Sequence, residues 1–419
     1  MALLAACLGG LGFSCKDAAA PAKPEAQLAT DLPAETIDII LRAVQQRGAP
    51  SAERIAGLGL GASALAAEGN NNVNGPSAAA AGGADAGAPD SAAAPKMTGG
   101  TAPLARAGGS HAHADGGDGA STEPAPQRPG VTEPVATAAL PDGGVAVSVA
   151  RPSGGPLAPP AIGGDLRWDL EPYGAIIAAQ RGELLPMPAA AVGVPDLWRD
   201  PGGTWIAIGG RARVLLVNKA LRGDRSGPTR LANLIDASLK GQVAMAVPTG
   251  GAALAQFAAL YTAWGEARMR AWLQGLRANG VQLLATDAEV RMAVVQGRAT
   301  VGLIGSDEAA KAAAIAPVSV IYPDQRTIGT FVWPTALSRP RNAAHREGGA
   351  LLAEALADKA TEQLLVAREP GFIPLRPGIP VPTGVRSAWN LRVVSVEPAQ
   401  IVADIEQRLP ELEAWSKAR

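Results

Sequence analysis

Cysteine, histidine and aromatic side chains are all scarce in this sequence of 419 residues. The only two cysteines, Cys7 and Cys15, sit at the N-terminal end, so no disulfide staples the body of the chain. The three histidines are badly placed: His111 and His113 lie in a tract of small residues and His345 in a polar stretch. No Cys/His spacing of the zinc type exists. The G-x-S-x-G elbow and the P-loop lysine are also missing. Carboxylates alone can do chemistry, but nothing nominates a catalytic pair, and an enzyme is not expected. An excess of positive charge is lacking too, with 37 basic residues against 38 acidic ones. That excludes the usual electrostatics of a nucleic-acid binder. The apolar run Met1–Phe13 is too short to span a bilayer.

What is abundant is glycine (50 residues) and proline (35 residues), which implies a long unstructured segment. Met1–Phe13 reads as the end of a signal peptide's apolar region, with residues 1–15 as a signal and lipobox region. Leu4-Ala5-Ala6-Cys7 has the small residues of a bacterial lipoprotein box, and Gly12-Phe13-Ser14-Cys15 is the second candidate. Neither follows a basic stretch, so the true start is expected upstream. Residues 16–28, rich in Ala, Pro and Lys, read as a tether.

Residues 29–56 contain a helical pattern over Pro33–Arg47. Ile37, Ile40, Leu41 and Val44 share one face, Asp31 is the expected N-cap and Gly48 the expected stop. Residues 57–162 hold almost no large apolar side chains and are expected to be largely disordered. One patch there, Gly144–Ala150, alternates like a strand.

From Asp165 onward strands and helices alternate, which predicts an α/β fold. Val243–Val247 and Thr300–Ile304 read as buried strands. Helices are expected with Leu254, Phe257, Ala258 and Tyr261 inward, then with Met269, Trp272, Leu273 and Leu276 inward. Leu283-Leu284 opens a short connection to Asp287, the expected N-cap of a helix that stops at Gly297. The tail adds helices around Gly348–Ala357 and Pro398–Leu409.

Three local features bear on chemistry. Thr249-Gly250-Gly251-Ala252 lies between a strand and a helix, where small residues and free N–H groups suit an anion or equally suit a tight turn. Ser306-Asp307-Glu308 follows a strand, where two acids could hold a hard cation or simply favour a first helical turn. Asp165–Pro172 reads as a strand running into a loop.

These stretches, taken in order, resemble the extracellular solute-binding proteins of the ferric-iron type. The resemblance is carried by Asp165–Pro172, Tyr173–Pro186, Trp198–Pro201, Gly210–Asn218, Pro248–Ala252, Val301–Glu308, Tyr322–Gln325 and Ile373–Gly378. It implies a two-lobed type 2 periplasmic-binding fold with hinge strands, interrupted by the long low-complexity insertion. Residues 163–217 would continue the first lobe and end in a hinge strand. Residues 218–317 would form the second lobe, and 318–419 the return strand and the rest of the first. It also implies a monomer with a cleft, and an ABC-importer permease as partner. By the same resemblance Glu171, Asp307 and Glu308 are the candidate metal ligands. Thr249–Ala252, Thr30, Asp31 and Arg213 are the candidate anion contacts, with Arg211 equal to Arg213. The implied cargo is ferric iron or another hard cation with a synergistic anion. Family tyrosines are replaced at Ser306-Asp307, so phenolate ligation is not expected. The competing readings are an organic-anion (phosphonate or carboxylate) binder of the same fold, and a transport-inactive lipoprotein that serves as an interaction module. The expected location is the periplasmic or extracellular face of the envelope, through a lipid on Cys7 or Cys15.

Overall fold

The computed structural model describes residues 25–45, 137–139, 146–150, 164–188, 191, 193–223 and 227–418. The expected signal region with Cys7 and Cys15, the stop at Gly48 and most of the 57–162 tract lie outside the described residues.

The expected tether ends sooner than residue 28. Strand β1 (Glu25–Thr30) buries Ala26 and Leu28 and lies inside a sheet. It pairs in parallel with β3 (Ala146–Ala150) on one side and with β4 (Leu166–Asp169) on the other. The alternation of Ala26 and Leu28 with Glu25 and Gln27 is the period of a strand. The strand pattern read at Gly144–Ala150 is thus realised as β3, next to a short β2 (Thr137–Ala139).

Helix α1 (Ala34–Gln45) buries Ile37, Ile40, Leu41 and Val44 on the face that the spacing predicted. Each such burial contributes roughly 1.5–3 kcal/mol. Asp31 does not cap it. The helix begins at Ala34 with Ile37 N–H donating to Pro33 O, and Asp31 turns to Leu170 instead.

After β4 come α2 (Tyr173–Gln180), β5 (Leu184–Leu185), β6 (Trp205–Ile206) and the long β7 (Gly210–Asn218). Strand β8 (Val243–Ala246) leads to α3 (Gly251–Trp264), followed by α4 (Glu266–Ala278). Leu283-Leu284 belongs to a strand, β9 (Gln282–Leu284), because its backbone pairs with β8. Helix α5 (Asp287–Val295) is capped by Thr286, whose hydroxyl accepts from Glu289 N–H, so Asp287 is freed for another partner. Strand β10 (Val301–Gly305) feeds α6 (Ser306–Ala313), and β11 (Val318–Ile321) follows. The tail holds β12 (Val332–Pro334), β13 (Ala336–Pro340), α7 (Arg346–Leu356), α8 (Lys359–Arg368), β14 (Phe372–Ile373) and α9 (Pro398–Lys417).

Two sheets result. One runs β2-β3-β1-β4-β13-β5, with β6 also on β13. The other runs β11-β7-β10-β8-β9, with β12 and β14 added to β7. Strand β7 is the shared spine. Its Gly210–Ala212 end pairs with β12 and β14, and its Arg213–Asn218 end with β10 and β11. Val214, Leu215 and Leu216 are fully buried, which accounts for the unbroken apolar run in the strand. The chain passes between sheets at Ile208-Gly209 and again at Thr335. The passages touch: Thr335 N–H donates to Gly209 O at 3.0 Å and its hydroxyl to Ile208 O at 2.7 Å.

Helix α9 corrects one expectation about the tail. It extends beyond Leu409 to Lys417, and Ile401, Val402, Ile405 and Leu412 share a core with Leu254 and Phe257 of α3. Arg270 donates to Glu411 at 2.8 Å. The tail therefore packs on residues 218–317 as well as on the first sheet. None of the helices among the described residues is long and apolar enough to cross a membrane.

Candidate functional site

The ends of β1 and β4 bring Asp31 and Glu171 forward together. Thr30 is buried and donates to Trp168 O at 2.6 Å, and the Asp31 carboxylate accepts from Leu170 N–H at 2.6 Å. Both residues fasten adjacent strand ends. Asp31 uses only one of its two carboxylate oxygens for this bond.

Glu171 is the centre of the group. One oxygen accepts from the Arg211 guanidinium at 2.5 Å and the other from Trp333 Nε1 at 2.6 Å. Arg211 also donates to Leu170 O at 3.2 Å, lies 3.7 Å from the Asp307 carboxylate and faces the Phe372 ring. Tyr173 packs against Trp333, with ring centroids 5.3 Å apart, and its hydroxyl donates to Gly251 O at 2.7 Å. The start of α3 is thereby fixed against Glu171. A Cβ on Gly251 would lie 3.9 Å from Glu171 Oε1, and its φ of +53° belongs to the left-handed region that favours glycine. Asp307 is held by its neighbour. The Ser306 hydroxyl donates to Gly371 O at 2.6 Å and accepts from Ala212 N–H at 3.0 Å, so Ser306 latches α6 to β7. It is the first residue of that helix, whose N-cap is Gly305.

Burial sets the electrostatics. It pushes the Glu171 carboxyl up, against the pull of Arg211 and the Trp333 N–H. Asp31 is raised by the same cause, opposed chiefly by the Leu170 N–H. For Arg211 burial alone would favour the neutral form, but Glu171 and Asp307 outweigh it and hold the cation firmly. Burial and the charge on Glu171 keep the Tyr173 phenol protonated well beyond its ordinary range.

The candidate residues therefore divide. Asp31, Glu171, Gly250-Gly251 and Asp307 converge, with Arg211 between the acids. Thr249 shapes the turn before α3, its N–H donating to Val247 O at 2.9 Å. Arg213 does not face this group. It is 2% exposed and donates to Gln256, to Asp287 and to Leu303 O. Glu308 also turns away, bonded to Arg291 at 2.7 Å and to Lys311 at 2.6 Å. Glu171, Asp307 and Glu308 thus form no common ligand set, and no cluster of three or more His, Cys, Asp or Glu suited to a metal occurs among the described residues. Sequence reasoning does not single out Trp333 and Tyr173 as site residues. Their signal was only an aromatic in an apolar strand and one after a proline, which is indistinguishable from core.

Residues 184–381 match the bacterial extracellular solute-binding protein family. The chain is 27% identical over 207 residues to iron uptake protein A1 of Synechocystis sp., a match covering 46% of this chain and 56% of that protein. It therefore spans little more than half the length of this curated relative. Among solved structures, iron-bound HitA from Pseudomonas aeruginosa superposes with a TM-score of 0.55 at 20% identity, over 64% of this chain and 90% of that one. Trichodesmium IdiA (FutA) in complex with iron and citrate gives 0.56 at 19% identity, over 66% and 92%. The resemblance read from the sequence is borne out. The fold is the mixed α/β type 2 periplasmic-binding fold, and the matched family is one of solute-binding proteins and not of enzymes.

Proposed function

We propose that this protein is the solute-capturing receptor of an ABC-type importer, and that its cargo is a metal–anion complex: ferric iron carried by a small carboxylate of the citrate class. The observation that carries this reading is the charge balance around Arg211. Asp31, Glu171 and Asp307 set three carboxylates against the Arg211 guanidinium, the neighbouring Arg167 being matched by Asp169, which leaves more acidic than basic groups in a half-buried place. Such a place favours a cationic centre. Across from these acids, the start of α3 offers backbone N–H groups at Gly250–Ala252, which suit an anionic ligand.

A bare ion is the poorer fit. Both Glu171 oxygens already accept hydrogen bonds, and the acids do not gather into a three-ligand cluster. A complex that brings its own oxygen ligands asks the protein for fewer. In this reading Arg211 pairs with the carboxylate part, Asp31 and Asp307 face the metal, and Trp333 and Tyr173 keep Glu171 and Gly251 in register. The chain works at the outer face of the envelope, tethered by a lipid on Cys7 or Cys15, and delivers its cargo to a membrane permease. The cation-free alternative, an organic anion held by Arg211 and the α3 backbone, rests on the same guanidinium.

Thermal denaturation and calorimetry with ferric citrate, citrate alone, phosphate and ferric ion with a weak chelator separate these readings. Ferric citrate is expected to raise Tm and bind with a stoichiometry of about one, well above citrate alone. Equal stabilisation by citrate alone would select the organic-anion reading. No response to any of the four would reject the capture role. Intact-mass analysis of native protein tests the lipid on Cys7 or Cys15.

A further inference from the structure

A second concavity lies away from the Arg211 group, and its charge is of the opposite sign. It is a hollow of about 810 Å³ walled by Thr229-Arg230, by Val320–Tyr322 at the end of β11, by Gln325–Thr327 and by Gly384 and Arg386. Three guanidinium groups line it: Arg230, Arg326 and Arg386. Among the described residues none of the three is in an ion pair with a carboxylate. Arg199, Arg211, Arg213, Arg270, Arg291 and Arg376 each pair with an acid, whereas others, such as Arg277, Arg339 and Arg341, donate to backbone carbonyls.

Among the described residues no acid lines the hollow, and the nearest in sequence, Asp324, is buried behind the lining. Asp324 is 3% exposed and adopts a φ of +60°, rare for a residue other than glycine. Its carboxylate accepts from Leu231 N–H at 3.1 Å and from the Thr327 hydroxyl at 2.9 Å. Its backbone N–H donates to Thr229 O at 2.9 Å, and its carbonyl receives the Thr327 and Gly329 N–H groups. Asp324 thus ties the loop that carries Arg326 to the segment that carries Arg230, while its own charge is used up by neutral donors inside the wall. The third arginine is also placed. Arg386 lies over the Tyr322 ring with its guanidinium carbon 5.8 Å from the centroid, and its backbone N–H donates to the Tyr322 hydroxyl at 3.3 Å. Hydroxyls of Tyr322, Thr229 and Thr327 supply further polar lining.

We infer that this hollow is a second binding site, for a small multivalent oxyanion of the polycarboxylate or phosphate class, gripped by Arg230, Arg326 and Arg386. Guanidinium groups bind carboxylate and phosphate oxygens through paired, charge-assisted hydrogen bonds. Three of them lining one hollow, on segments tied together by the buried Asp324, offer such a ligand several donors at once. They come from three separate segments of the chain, so an anion held by all three cross-links Thr229-Arg230 to the Gly384–Arg386 loop. The inference does not depend on the cargo proposed above, because it uses none of the same residues.

The test is calorimetric titration of the full chain with citrate, pyrophosphate and monophosphate, at constant ionic strength set with chloride. The expected result is an equivalent of oxyanion that survives Arg211→Gln and is weakened about tenfold by each of Arg230→Gln and Arg386→Gln. Multivalent anions should bind more tightly than monophosphate. Lys240→Gln, an exposed basic residue outside the hollow, should leave binding unchanged. Should either of the two variants fail to fold by circular dichroism, the exposed Arg326→Gln serves in its place with the same expectation. The proposal is overturned if no oxyanion binds to the Arg211→Gln protein, if the arginine variants bind as the parent does, or if Lys240→Gln weakens binding equally, which would mean general charge attraction. The preference between citrate and pyrophosphate identifies which source of oxyanion the site suits.

Discussion

Arg211 and Arg213 stand two positions apart on β7, yet their surroundings have little in common. Arg213 is sealed in and bridges β7 to α3, α5 and β10 through Gln256, Asp287 and Leu303. Arg211 is also paired, with Glu171 at 2.5 Å, but it keeps 15% of its side chain exposed and reaches Asp307 only at 3.7 Å. The first is committed to the frame, and the second retains capacity for an outside partner. Residue type and spacing are the same, so the difference comes from which strands flank each half of β7. A buried pair with saturated partners resists change because breaking it strands a charge. The long Arg211–Asp307 contact can be exchanged for an outside partner at small cost.

The hardest blow to that contrast is Arg213→Met. It leaves Asp287 with only the Gly305 N–H, at 2.9 Å, and the Gln256 carbonyl oxygen with no donor. The expected loss is about 3 kcal/mol in chemical denaturation, with ferric citrate affinity per folded molecule little changed. A stability loss below 1 kcal/mol would contradict the role given to Arg213.

A second committed pair sharpens the comparison through pH. Glu362 is fully buried against Arg376 and accepts from Leu375 N–H at 2.5 Å. Burial raises its carboxyl, against the Leu375 N–H and the Arg376 charge. The folded state therefore holds the proton more tightly than the unfolded chain. The stabilisation linked to that proton is present below the ordinary glutamate value of 4.5 and is lost as pH rises through the raised folded value. Glu362→Gln, which is neutral at every pH, should abolish this part of the pH dependence, so that its stability relative to the parent rises from acid to neutral pH. Stability curves for parent and variant that stay parallel from acid to neutral pH would refute the assignment.

The smallest stability change is expected at Arg211→Met, about 1 kcal/mol, since Glu171 keeps the Trp333 donor and can take up a proton. Its solute affinity should nevertheless fall about tenfold or more. Reversal of the two arginine phenotypes, with Arg211 governing stability and Arg213 governing binding, would overturn the comparison itself.

Much of this was legible in the residues. The apolar spacing in α1, the buried strands β8 and β10, and the glycines before α3 each have a local cause. Asp31, Glu171 and Asp307 stand at strand ends, where ligand-facing acids are expected. What was not legible depends on distant partners. Nothing near Arg211 or Arg213 distinguishes them, because Asp287 and Glu171 reach β7 from far along the chain. Asp31 looks like a cap until Leu170, from another strand, claims it. Glu308 looks like a ligand until Arg291 does the same. The start of β1 was hidden by its Ala-rich neighbours, since pairing with β3 and β4 rather than composition makes it a strand.

The shared use of β7 also governs how the molecule is made. Its partners are Val301–Gly305, Val318–Ile321, Val332–Pro334 and Phe372-Ile373, all later in the chain and far from it. A nascent polypeptide therefore carries this oily nine-residue segment unmatched until most of its length has emerged. Neither half can finish on its own schedule, and assembly is expected to be slow and to rely on protection from aggregation until synthesis is nearly done.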